Sequence, residues 1–258
     1  MAERQIDLNS DLGEGFGPWA MGDDETMLSI VTSANVACGG HAGDTETMFR
    51  TMAIAAANDV VVGAHPGYLD REGFGRRIIP MSPAEIGRMV AAQVGSLRGV
   101  AALVPVAVRY VKPHGALGNL AARDRGVADA IVDAVGCLDS DLALLAISGT
   151  ELESAAVSAG STVFSEIFAD RGYLASGQLV PRDRPGALIT DPAAACERLS
   201  GFLETGRMPV IDGEPILLDV DSVCVHGDSA GAVAMARLIR DELVGSGVRV
   251  TGFAASVP

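Results

Sequence analysis

Short strand-like runs alternate with helical stretches along almost the whole chain, and no other feature limits the possible folds as much. The expected strands are 5–8, 34–37, 60–64, 109–112, 142–147, 162–168 and 222–225. Helical patterns fall between and after them, near residues 23–32, 44–58, 83–98, 124–136, 150–159, 190–205 and 229–245. Several open on clear start signals. Asp44 precedes Thr45-Glu46-Thr47, and Ser82-Pro83-Ala84-Glu85 reads as a capping box with proline at the first helical position. Such alternation implies parallel strands joined by crossover helices. Seven or eight units in 258 residues suit a closed barrel better than a two-domain doubly wound sheet. The expected fold is therefore α/β, an irregular (β/α) barrel with about seven parallel strands, forming a single catalytic domain over residues 1–258.

In barrels of this kind the reactive groups sit at the C-terminal ends of the strands. The polar residues of this chain fall at those ends. Asp7, Asn9 and Asp11 come at the end of the first strand, where Asp7 and Asn9 are two apart and share a face while Ile6 and Leu8 point the other way. Cys38-Gly39-Gly40-His41 follows the second strand and Ala64-His65-Pro66-Gly67 ends the third. Lys112-Pro113-His114-Gly115 ends the fourth. The sixth leads through Glu166 to Asp170-Arg171, and the last ends at His226-Gly227-Asp228. All four histidines of the chain thus lie just past a strand, each beside a glycine or one residue from it. We expect them to converge on one rim.

Composition narrows the chemistry. Nineteen basic against 33 acidic residues give a net charge of −14. That disfavours nucleic acid and an anionic membrane surface, both of which reward positive charge. The start carries no secretory signal, and no run is long and apolar enough to span a bilayer. Four scattered cysteines without a CxxC pair fit a reducing cytoplasm. Lys112 is the only lysine, so GxxxxGK[ST] is impossible with Pro113 following it, and no GxSxG elbow occurs. Gly13-Glu14-Gly15-Phe16-Gly17 lacks dinucleotide-loop spacing and is expected to be a mobile loop over the rim. Cys38, three residues before His41, is expected to be a small buried side chain rather than a nucleophile.

The expected catalytic set is Asp7, Asn9, Asp11, His41, His65, Lys112, His114 and His226. Histidine and carboxylate supply proton transfer, and lysine supplies a fixed positive charge for a carboxylate or developing oxyanion. Glu14, Asn35, Arg76, Arg77, Arg171 and Asp228 are the candidate substrate contacts. The arginines suit an anion or, in the plainer reading, salt bridges to Asp70, Glu72 and Asp170. Neither HxH nor HExxH is present; if a divalent metal binds, Asp11, His41 and His65 are the candidate ligands.

The runs IDLNSDLGEGFG (6–17), SANVACGGHAGD (33–44), GAHPGYLDREGFGRR (63–77), VKPHGALGN (111–119), FADRGY (168–173), LVPR (179–182) and VCVHGD (223–228) resemble the LamB/YcsF family, the A subunits of prokaryotic 5-oxoprolinases. One departure stands in KPHGALGN, where Gly118 replaces the family's usual tyrosine. The resemblance implies a barrel of the glycoside hydrolase/deacetylase type. It also implies hydrolysis of 5-oxo-L-proline (pyroglutamate) to L-glutamate with ATP as co-substrate, and partner subunits B and C. Three other readings of the residues are a metal-dependent deacetylase or amidohydrolase without ATP, a Schiff-base lyase using Lys112, and a non-catalytic lactam-binding subunit.

Overall fold

In the computed structural model, residues 4–227 and 231–253 are described. The chain order is β1 (Gln5–Leu12), α1 (Asp24–Leu28), β2 (Ser33–Ala37), α2 (Thr45–Ala57), β3 (Val61–His65), α3 (Pro83–Ala101), β4 (Val108–Val111), α4 (Gly115–Ala121) and α5 (Arg125–Leu138). It continues with β5 (Ala143–Ile147), α6 (Glu151–Ser158), β6 (Val163–Phe168), α7 (Pro192–Thr205), β7 (Arg207–Met208), β8 (Ile216–Leu217), β9 (Ser222–Cys224), α8 (Ala232–Gly245) and β10 (Arg249–Val250).

Strands β1 to β6 pair in sequence order, all parallel, and β9 bridges β6 and β1 to close the ring. This is the seven-stranded (β/α) barrel expected from the alternation. Strand β10 adds a short parallel pairing at the start of β1, and β7 and β8 form a separate antiparallel hairpin.

Alternation within each strand separates two environments. Leu8, Val36, Val62, Val111, Leu144 and Ile167 point outward into one continuous core with Met52, Val90, Leu97, Ile131, Leu199 and Ile239 of the helices. Burying each such side chain contributes roughly 1.5–3 kcal/mol. The helix starts behave as their sequence dictates. The Ser82–Glu85 capping box forms, and the Asp44 carboxylate accepts the Thr47 amide at 2.8 Å. Such caps are worth about 1 kcal/mol each.

Three differences from expectation matter for the site. β1 runs on to Leu12, because Asn9 through Leu12 pair with Ser33 through Val36. Asn9 and Asp11, which obscure this stretch in the sequence, face the barrel interior and reach Lys112. α4 begins directly after His114 and holds that residue as its N-cap. The glycine-rich segment after β1 is tied down rather than loose. Its Gly17 amide donates to Asp44, its Gly15 carbonyl accepts from Gly43, and Phe16 and Trp19 exchange backbone hydrogen bonds. Among the described residues no helix is long and apolar enough to cross a membrane.

Candidate active site

The barrel floor is closed by Tyr110, Ala143 and Leu145, packed against Val61, Phe164 and Phe253. Tyr110 lies so close over Gly63 that a Cβ there would sit 2.2 Å from its ring. The Tyr110 hydroxyl donates to Asn35 Oδ1 at 2.7 Å. Asp7, fully buried, accepts hydrogen bonds from Thr32 Oγ1 (2.7 Å), Ser33 Oγ (2.6 Å) and Ser222 Oγ. Burial pushes its pKa up to about 6 despite those hydroxyls.

Above this layer, Lys112 Nζ stands 2.8 Å from Glu166 Oε1, 3.1 Å from Asp11 Oδ1, 3.1 Å from Cys224 Sγ and 3.3 Å from Asn9 Oδ1. Two amides organise the group. Asn9 Nδ2 donates to Glu166 (2.9 Å) and Ser222 (2.7 Å), and Asn35 Nδ2 donates to Asn9 Oδ1 (2.7 Å) and Asp11 Oδ1 (2.9 Å). Burial opposes charge on Lys112, but Asp11, Cys224 and Glu166 hold it protonated, well above the usual lysine range. Burial likewise opposes charge on Asp11, yet His65 and Lys112 hold its carboxyl well below the usual range. Glu166 is pushed up by burial against the pull of Lys112. Its second oxygen, Oε2, is buried with no hydrogen-bond partner among the described residues.

Three histidines gather at the mouth beside this lysine. His65 Nδ1 lies 2.7 Å from the Lys112 carbonyl, and His65 Nε2 lies 3.4 Å from Asp11 Oδ2 and 3.0 Å from His114 Nδ1. His114 Nε2 lies 2.8 Å from the Phe74 carbonyl. His41 stacks flat on His114 with ring centroids 3.6 Å apart, its Nε2 3.0 Å from Glu14 Oε1. The close fit needs a bare backbone at Gly75, where φ is +62° and a Cβ would approach His41 to 2.6 Å. Burial, then the neighbouring His65, lowers His114 to about 3; burial, then His114, puts His41 well below its usual range. Both rings are therefore neutral at pH 7. Across the mouth, His226 Nδ1 donates to Asp170 Oδ2 at 2.8 Å. Burial opposes charge on Asp170, but His226 and its hydrogen bonds keep the carboxyl below the usual range.

A cavity of about 600 Å³ opens over these groups. Of the expected site residues, Asp11, Glu14, His65, Lys112, His114, His226, Arg76 and Arg171 line it together. Asp7, Asn9 and Asn35 do not; each is sealed beneath the lysine and acts by holding others in place. His41 sits behind His114 and Glu14. Arg77 turns away and pairs with Asp70, its Nε 3.0 Å from the carboxylate. Arg171 combines both readings, since it faces the cavity and also donates to the Val180 (2.7 Å) and Ala187 (3.0 Å) carbonyls. Asp228 lies outside the described residues. Cys38 is buried, and burial pushes its thiol up to about 12, so it offers no thiolate.

Glu166 and Asp170 belong to the site, although from the sequence they fall at the end of the sixth strand and are not among the candidate site residues. Glu166 is recoverable from register, since it lies level with Asp7 through Ser222 and faces inward like Asp7. Asp170 sits two residues past the end of β6, in the same motif as Arg171. Arg123, Arg182 and Arg184 also line the cavity; Arg182 ends the LVPR run, while no local pattern marks the other two. Gly118 also lines the cavity, and a Cβ there would sit 2.6 Å from the Pro113 carbonyl oxygen.

Comparison with known proteins agrees in extent with this geometry. The A subunit of a 5-oxoprolinase from Nocardia farcinica is 51% identical over 248 residues, covering 96% of this chain and 99% of that protein. The third of the 5-oxoprolinase A subunits of Pseudomonas syringae pv. tomato is 48% identical over 251 residues, covering 97% and 98%. The crystal structure of the lactam utilization protein from Thermus thermophilus superposes with a TM-score of 0.90 at 40% identity, covering 96% of this chain and all of that one. The LamB/YcsF family model matches residues 6–257. With barrel, mouth and nearly every residue of both within that match, the chain belongs to the LamB/YcsF family.

Proposed function

We propose that this chain opens the ring of 5-oxo-L-proline to give L-glutamate, as the A component of an ATP-dependent 5-oxoprolinase that also contains subunits B and C. The names of its relatives support the substrate and the existence of an assembly. The observation that carries the reading is the Lys112 ammonium, held charged by Asp11 and Glu166 beneath a cavity ringed by His65, His114 and His226.

A lactam resists hydrolysis because its amide is stable and the ring recloses readily. Phosphoryl transfer from ATP to the lactam oxygen activates the ring carbon. Water then adds to that carbon and the C–N bond breaks as a proton reaches the nitrogen. This leaves an acyl phosphate, from which a second water releases phosphate. Asp11, ionised and next to His65, suits the base that takes the proton from water. His226, oriented by Asp170, suits the donor to nitrogen. Lys112 stabilises the oxygen on which charge builds. Arg76 and Arg171 at the wall suit the substrate carboxylate or the phosphoryl group. The sequence holds no Walker motif, so we assign much of the ATP site to a partner.

The test is glutamate release from 5-oxoproline and ATP by the chain alone, by B and C alone, and by all three. Release is expected only from the complete set, and Lys112→Ala in that set abolishes it. Release without ATP, or undiminished release with Lys112→Ala, overturns the proposal.

A further inference from the structure

The hydrogen bonds of His65 and His114 fix where their protons are. A carbonyl oxygen can only accept, so the His65 Nδ1 facing the Lys112 carbonyl at 2.7 Å carries a proton. By the same rule His114 Nε2, 2.8 Å from the Phe74 carbonyl, carries one. With one proton per ring, the remaining nitrogens, His65 Nε2 and His114 Nδ1, are lone pairs. They face each other at 3.0 Å. Two further acceptors stand beside them, Asp11 Oδ2 3.4 Å from His65 Nε2 and Glu14 Oε1 3.6 Å from His114 Nδ1. Four electron-rich atoms converge on one point, and each histidine is oriented from behind by a backbone carbonyl, as metal-ligating histidines characteristically are.

We infer that His65 Nε2, His114 Nδ1 and Glu14, with Asp11 beside them, form a binding site for one divalent transition-metal ion of the zinc class. Donor atoms bound to a common ion at about 2.0–2.2 Å stand roughly 3–3.5 Å apart, close to the 3.0, 3.4 and 3.6 Å separations of these facing atoms. Two imidazoles with carboxylate oxygen suit a borderline ion better than calcium or magnesium. The donor atoms of Glu14, His41, His65 and His114 all lie within 4.8 Å of one another, but proton placement separates His41 from the rest. If its Nε2 were bare, the proton would sit on Nδ1, which is buried with no acceptor among the described residues. With the proton on Nε2, it donates to Glu14 Oε1 at 3.0 Å. His41 therefore orients the Glu14 carboxylate, and His114 takes the place expected for His41 among the ligands. The assignment does not rest on the lactam reaction and holds for the chain by itself.

The experiment uses the full chain, stripped with chelator and dialysed against zinc or cobalt(II). Metal analysis is expected to find about one ion per chain, with the cobalt form showing visible bands of nitrogen ligation. His114→Ala and His65→Ala lose more than about 100-fold in affinity. His41→Gln keeps the stoichiometry and the spectrum while losing roughly 10–100-fold, as an outer-shell partner does. Uptake below about a tenth of an equivalent, or native affinity in His114→Ala, overturns the site. Should the alanine variants fail to fold, long-range proton–nitrogen spectra of the native chain decide. Zinc is expected to move the bare His65 Nε2 and His114 Nδ1 resonances and leave His41 Nε2 protonated. A His65 ring that stays doubly protonated throughout the zinc titration means a shared proton holds the two rings together, and the metal site fails.

Discussion

The two ends of the barrel interior are built from the same strands, a few residues apart, and bury opposite chemistry. At the floor, Tyr110 packs with Ala143 and Leu145, and the Asp7 carboxylate accepts from three hydroxyls. Two residues beyond Tyr110, just past the end of β4, the chain reaches Lys112, and two further on it reaches His114. At this mouth the charged groups are sealed on one side and open to the cavity on the other. Every polar group named at the floor is matched within the chain. The mouth keeps Glu166 Oε2 and His41 Nδ1, each buried with no hydrogen-bond partner among the described residues. A buried polar atom without a partner costs roughly 1–3 kcal/mol, so its persistence marks the place where something other than folding is served.

Removing the ammonium tests this division most severely. Lys112→Met is expected to cut glutamate release by the reconstituted enzyme at least about 1000-fold, through loss of the charge facing the developing oxyanion. It also leaves Asp11 and Glu166 buried without their cation, which costs about 3–5 kcal/mol in denaturant unfolding. Adding Glu166→Gln should return part of the stability and none of the rate. A Lys112→Met chain that loses stability but keeps its rate would place the lysine with the floor.

The opposite side of the mouth should answer in rate alone. His226→Gln removes the ring held by Asp170, and a drop of roughly 100-fold in kcat is expected for a lost proton donor. Stability should move by less than about 1 kcal/mol, because His226 is partly exposed and packs at the edge of the cavity. Equal losses in both readouts would erase the distinction between the two ends.

The floor has its own titration. Asp7 has a folded pKa of about 6 against an ordinary value of 3.8, so the folded chain holds its proton across an interval where the unfolded chain has released it. The stability this proton confers is complete below pH 3.8 and is lost as pH rises through 6. Over that interval Asp7 costs the native chain roughly 3 kcal/mol. Asp7→Asn cannot titrate, so the stability difference, variant minus native, should climb in the variant's favour between about pH 4 and about 6.5 and then level off. Urea midpoints across that range check it. A flat difference would mean that the three hydroxyls keep Asp7 ionised as easily in the barrel as in water.

How much of this is legible in the sequence depends on whether the information is local. Helix caps such as Ser82–Glu85, and histidines placed next to glycines at strand ends, are written in neighbouring residues, and the barrel with most of its mouth follows from them. Position along the barrel axis is not local. Asp7, Asn9 and Asp11 share a face and look equivalent in sequence, yet only Asp11 reaches the cavity. Depth is set by the register of β1 against β2 and β9, which depends on residues far along the chain such as Ser33 and Ser222. His41 and His114 also look alike in sequence. Their separate parts follow from the backbone carbonyl of Phe74, supplied by a loop that no helix or strand pattern describes. The arginines at 123, 182 and 184 arrive from loops in the same way.

The smallest change reaches the floor through one methyl group. In Gly63→Ala the added carbon would meet the Tyr110 ring at 2.2 Å, backed by Phe253 with ring centroids 4.9 Å from Tyr110. Overpacking of this kind costs about 1–3 kcal/mol. Thermal or urea unfolding should show that loss, and Tyr110→Leu in the same chain should recover part of it, a coupling that a double-mutant cycle measures. If the floor serves stability alone, the rate of glutamate release per folded molecule stays near native. There is one route by which it could fall. The Tyr110 hydroxyl donates to Asn35 Oδ1, and Asn35 Nδ2 donates to Asp11 Oδ1 at the mouth. A displaced tyrosine ring that slowed the reaction would show that the two ends are joined through Asn35, and Tyr110→Phe, which removes the hydroxyl while leaving the ring, would then slow it as well.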